Sequence, residues 1–120
     1  MKKRLKSFTH AFSGWRIASK EEPNYIIHLF AALLAVSLGF YFKITVAEWL
    51  FIVLAIGIVL AAELFNTALE VLCDYIQPEK HASIKKIKDL SAGAVLITAI
   101  VALIGGLLIF IPKINQLFYA

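Results

Sequence analysis

The chain has 120 residues, 61% of them hydrophobic, with 12 Lys and Arg against 8 Asp and Glu. That is long enough for one domain and too apolar for a soluble globular one, where roughly 45–50% is usual. Cys73 is alone, which excludes an internal disulfide. No CxxC pair or Cys/His cluster carries zinc spacing, and the net +4 charge flanks apolar segments, a topology signal rather than a nucleic-acid surface.

The opening "MKKRLKSF" has the basic character of a signal peptide. "THAFSGWRIASKEEPN" follows, placing charges where an apolar core of about 7–15 residues would be required, so the N-terminus is expected to be retained. Phe8, Phe12, Trp15 and Ile17 recur among Lys, Arg, His and Ser, which predicts an amphipathic helix over about residues 5–22 lying in the membrane interface. Pro23 favours a fresh helix start. Three segments then carry enough hydrocarbon to cross a bilayer, about 25–42, 46–73 and 91–111, a crossing needing about 17–20 residues. The second exceeds that need, so its last turns should emerge from the hydrocarbon; the third should stop at Pro112, with Gly105 and Gly106 available for close helix contact.

Ten of the 12 basic residues lie before the first span or between the second and third; only Lys43 and Lys113 fall on the other side. The positive-inside tendency therefore predicts a cytoplasmic N-terminus and a cytoplasmic loop over 74–90, with Tyr41 and Trp49 at the outer interface and Trp15 and Tyr75 at the inner one. The expected fold is all-α and integral to the membrane, one domain over 1–120, with three transmembrane helices and an N-terminal surface helix.

Within "ELFNTALEVLCD", Glu63, Asn66, Glu70 and Asp74 stand at offsets of 0, 3, 7 and 11 and so share one side of a helix, a stripe about 16 Å long. The loop beyond it supplies Lys80, His81, Lys85, Lys86 and Lys88, while Glu21 and Glu22 arrive from the N-terminal side. Carboxylates suit Mg²⁺ and lysines suit phosphate, so the group matches a magnesium-bound nucleotide, with Glu63 the deepest carboxylate and the natural base for a lipid hydroxyl. No P-loop, GxGxxG, GxSxG or HExxH motif is present. Polar residues in membrane helices also serve packing between helices, and a non-enzymatic ion or proton pathway would use the same carboxylates. Taken singly, His10, His28 and His81 read as interfacial or packing residues, and Glu21 and Glu48 as surface charges.

"ELFNTALEVLCDYI" followed by "KDLSAGAVLI" resembles the prokaryotic diacylglycerol kinase and undecaprenol kinase family, and the three-span layout extends that resemblance over nearly the whole chain. The resemblance implies a Mg-ATP-dependent lipid kinase of the bacterial cytoplasmic membrane, assembled as a homotrimer with sites between subunits. It implies Glu63 as general base with Asn66 beside it, Glu22 and Glu70 as magnesium ligands, and Asp74, Lys88 and Asp89 on the nucleotide side. Glu79, Lys80 and His81 fall where the family's loop touches nucleotide; Lys3 and Arg4 lie near a functional basic position, and His10 is grouped with them. The form "AELFNTALE", the ending "GLLIFIPKI" and His28 resemble the undecaprenol branch more than the diacylglycerol branch, which stays the alternative substrate. Three narrow helices can hardly enclose both a lipid and a nucleotide, which agrees with an assembly of several copies.

Overall fold

A computed structural model describes residues 1–119. The chain forms α1 (Lys2–Glu21), α2 (Pro23–Phe42), α3 (Val46–Ile76) and α4 (Ala82–Tyr119), and the described residues contain no strand. Leu5, Phe8, Phe12 and Trp15 lie on one face of α1 and are all exposed, Phe12 and Trp15 meeting edge to face. Ile17, expected in that stripe, falls on the opposite side of the helix because its spacing from Phe8 is not a multiple of the helical repeat. At the end of α1 the chain turns through extended Glu22, whose amide donates to the Ala18 carbonyl, and Pro23 occupies the first position of α2, where its missing N–H costs nothing.

The α2–α3 connection is tight. Lys43 adopts φ 51° and ψ 55°, left-handed backbone that costs a non-glycine residue about 1 kcal/mol, while the Ile44 amide donates to the Gly39 carbonyl. Thr45 then caps α3: its hydroxyl accepts from the Glu48 amide and the Glu48 carboxylate accepts from the Thr45 amide, a reciprocal capping box. The other Glu48 oxygen accepts from Lys113 Nζ at 2.7 Å. Glu48 is thus no free surface charge but a half-buried tie between the start of α3 and the end of α4.

With 31 residues, α3 is about 46 Å long against a hydrocarbon core of about 30 Å, longer than a crossing needs, as the sequence predicts. The third span differs from expectation at both ends. Its helix begins at Ala82, not Ser91, so most of the predicted 74–90 loop is helical and only 77–81 lie between α3 and α4. "SIKKIKD" is built of good helix formers, and His81 Nδ1 accepts from the Ser83 amide, satisfying one donor of the new helix start. Nor does Pro112 end the helix; α4 continues to Tyr119. Proline removes the donor that would reach the Leu108 carbonyl, and Lys113 Nζ donates to the adjacent Ile109 carbonyl.

α3 is the central helix, packed most extensively on α4 and less on α2, with α1 lying across both α2 and α3 at the end that holds Glu22. The buried apolar cluster of Ile44, Ile52 and Phe110 lies at the opposite end, near the hairpin. The bundle is flat, 58 × 43 × 22 Å, and only 11%, 28% and 6% of the three apolar stretches are buried within it. Helices this long and apolar are stable only with those faces in lipid or against other copies.

Gly105 permits the close α3–α4 approach: a Cβ there would collide with the Phe51 ring. Gly105→Val should therefore lower stability in detergent by about 1–3 kcal/mol, the usual range for overpacking, read as a drop in thermal midpoint. An unchanged midpoint would mean that Phe51 swings away freely.

Candidate active site

The predicted stripe forms as a continuous polar edge of α3, and each member finds a partner on another element or within the stripe. Deepest is Glu63, only 2% exposed, whose Oε1 lies 3.1 Å from Nε2 of His28 on α2. One turn on, Asn66 Nδ2 donates to Glu70 Oε1 at 3.2 Å, and the buried Ser91 hydroxyl of α4 donates to Asn66 Oδ1. Asn66 therefore has both ends of its amide fixed, which holds the Glu70 carboxylate in place. At the exposed end of the stripe Asp74 accepts from Lys88 Nζ at 2.7 Å, linking α3 to α4.

Glu22, at the α1–α2 turn, faces this edge. Partial burial, and then the nearby charges of Glu70, Glu63 and Glu21, raise its pKa above the ordinary 4.5. The folded carboxyl thus holds its proton more tightly than the unfolded one, and the wild-type chain loses stability as pH climbs through that ordinary value and beyond. Glu22→Gln should therefore raise the thermal midpoint of metal-free protein at neutral pH, a gain that vanishes below about pH 4.5. A midpoint difference independent of pH would contradict the repulsion.

Among the described residues no cluster of three or more His, Cys, Asp or Glu has the geometry of an all-protein metal cage. A hard cation that keeps waters and takes phosphate oxygens needs only one or two carboxylates. Glu22 and Glu70 fit that requirement.

Other expected site residues stand apart. Lys88 and Asp89 are neighbours on α4 but point to different partners, Lys88 to Asp74 and Asp89 to Lys85 one turn back. Lys3, Arg4 and His10 are exposed along the first half of α1, and Glu79, Lys80 and His81 are exposed in the 77–81 connection, His81 capping α4. Two partners escaped the sequence reading: His28, set aside as a packing residue, and Ser91. His28 had a signal, since it is the one ionisable imidazole within an apolar span and such groups in membranes usually have a named partner.

From His28 an apolar groove of about 490 Å³ runs between α2 and α4 across α3, past Ala31, Ala35, Ala55 and Val59 to Phe110. A hydrocarbon-lined groove therefore meets the acidic edge at one point, the His28–Glu63 pair.

Fold and site together define a three-span membrane protein with an ordered acidic edge at its basic end, a class suited to handling phosphate against lipid. Residues 9–110 match the family described as prokaryotic diacylglycerol kinase, and the chain belongs to that family of membrane lipid kinases. It is 40% identical over 110 residues to undecaprenol kinase of Bacillus subtilis (strain 168), covering 92% of this chain and 89% of that protein. It is 30% identical over 108 residues to a diacylglycerol kinase of Haemophilus influenzae, covering 88% and 92%. With a diacylglycerol kinase of Escherichia coli (strain K12) the identity is 29% over 100 residues, covering 83% and 82%.

Proposed function

We propose that the protein transfers the γ-phosphoryl group of ATP to the terminal hydroxyl of a membrane lipid, with undecaprenol as the acceptor. The observation that carries this reading is the buried Glu63 carboxylate, held at the junction of an apolar groove and a polar edge. An acceptor whose chain stays in hydrocarbon brings its hydroxyl to Glu63, while the nucleotide approaches from water. The hydroxyl oxygen attacks the γ-phosphorus, the bond to the β–γ bridging oxygen breaks, ADP leaves, and Glu63 takes the hydroxyl proton. Asn66, fixed by Ser91, orients Glu70, and Lys88 and Asp74 bound the phosphate side of the edge. Mg²⁺ held by Glu22 and Glu70 would offset the phosphate charge when bound.

Polar groups crowd one end of the bundle, and between Glu48 and Glu63 α3 carries no ionisable side chain. That favours a surface-facing enzyme over an ion or proton pathway, which needs polar groups along its length. The basic bias of the loops supports an acidic edge on the cytoplasmic side of a bacterial membrane, where ATP is available. The flat, thinly buried bundle supports a homotrimer whose subunits complete each other's sites.

The test is purified protein in mixed micelles with Mg-ATP labelled at the γ position and each lipid alcohol in turn. Labelled undecaprenyl phosphate, formed faster than phosphatidic acid, is the expected result. Preference for diacylglycerol would reassign the substrate, and no labelled lipid would overturn the reading.

A further inference from the structure

We infer that His28 is the positioning residue of the Glu63 carboxylate; the inference rests on the reading of Glu63 as base. A carboxylate 2% exposed requires a donor, because an unpaired buried acceptor bears the full desolvation penalty. Its own helix supplies none: the nearest hydroxyl, Thr67 Oγ1, donates to the Glu63 backbone carbonyl, not to the carboxylate. Among the described residues the contact to that carboxylate comes from His28 Nε2 on the neighbouring helix. Because the two groups sit on different helices, a hydrogen bond from Nε2–H across this 3.1 Å contact would fix both the side-chain torsions of Glu63 and its register with α2. It engages Oε1 and leaves Oε2 for the acceptor's proton.

An imidazole suits this duty: its ring Nε2 can donate to Oε1 without the permanent positive charge that lysine or arginine would bring. A lysine or arginine at the same place would pair with Glu63 and lower its affinity for a proton, weakening it as a base. His28 also lines the apolar groove, and its side chain retains 22% exposure there while Glu63 lies behind it. The imidazole is therefore the group an acceptor arriving along hydrocarbon meets beside the base, and its edge sets how close the hydroxyl comes to Oε2.

The test uses full-length protein in mixed micelles with Mg-ATP and its preferred lipid alcohol. His28→Gln keeps a neutral N–H donor at similar reach, and His28→Leu keeps bulk without one. His28→Leu should lower kcat by about 10–100-fold, the usual effect of losing a partner that orients a reacting group, with KM for Mg-ATP unchanged. His28→Gln should restore most of that loss. In the Glu63→Gln background His28→Leu should produce little further loss, since the two act through one carboxylate. Equal kcat in the Leu and Gln variants, high or low, would overturn the inference while leaving the kinase reading standing, and so would full additivity with Glu63→Gln. A wild-type protein that phosphorylates no lipid alcohol would remove that reading and this inference with it. Should the Leu variant unfold, the Gln variant alone decides: a kcat reduced as far as 10-fold or more overturns the inference.

Discussion

Glu63→Gln is expected to lower kcat for lipid phosphorylation by about 10²–10⁴-fold, the range that general-base catalysis contributes, with little change in KM for Mg-ATP. Glutamine keeps the length of the side chain and an oxygen that can accept from His28 Nε2, so the α2–α3 contact and the fold survive. Only the capacity to take a proton is lost. Steady-state kinetics with thermal scans in the same detergent separate the outcomes. A kcat within a few-fold of wild type at an unchanged midpoint would mean that Glu63 is a packing group, for which its burial is otherwise sufficient.

Glu70→Gln should act differently. The amide can still accept from Asn66, so the chain of bonds from Ser91 through Asn66 remains, but a negative charge disappears from the edge facing Glu22. The magnesium concentration for half-maximal activity is expected to rise by at least about 10-fold, the lower end of what perturbing a metal's surroundings costs. Excess magnesium should recover much of the activity, whereas it should recover none in Glu63→Gln. The two carboxylates stand two turns apart on one helix face, so a shared phenotype would argue against separate duties.

The stripe from Glu63 to Asp74 was legible because one helix's periodicity fixes which of its side chains share a face. The spans were legible for a similar reason, since length and hydrocarbon content decide what can cross. Contacts between helices were not. His28 and Glu63 meet because antiparallel α2 and α3 adopt a particular axial register, and no spacing along the sequence encodes it; the same holds for Ser91 on Asn66 and Lys113 on Glu48. The ends of α4 misled for local reasons. A run of lysines reads as a loop when charge is taken as solvation alone, yet Lys85 and Asp89 pair one turn apart on the helix. Pro112 reads as a stop, and the lysine after it supplies a donor near the break.

Lys88 and Asp89 show a further limit. Adjacent residues of a helix point about 100° apart, so a pair assigned jointly to nucleotide is divided between two faces, with Lys88 on the acidic edge beside Asp74. Under the proposed kinase reading, Lys88 is the member that would meet phosphate.

The proposed function divides labour among three carboxylates: Glu22 and Glu70 would hold the metal nucleotide, and Glu63 would take the proton. Manganese, which accepts the same oxygen ligands as magnesium, makes this measurable by electron paramagnetic resonance with a non-hydrolysable ATP analogue. Wild-type protein and Glu63→Gln should bind Mn²⁺ with the same affinity, while Glu22→Gln and Glu70→Gln each weaken it. Loss of Mn²⁺ binding in Glu63→Gln, with binding intact in the other two, would contradict the account.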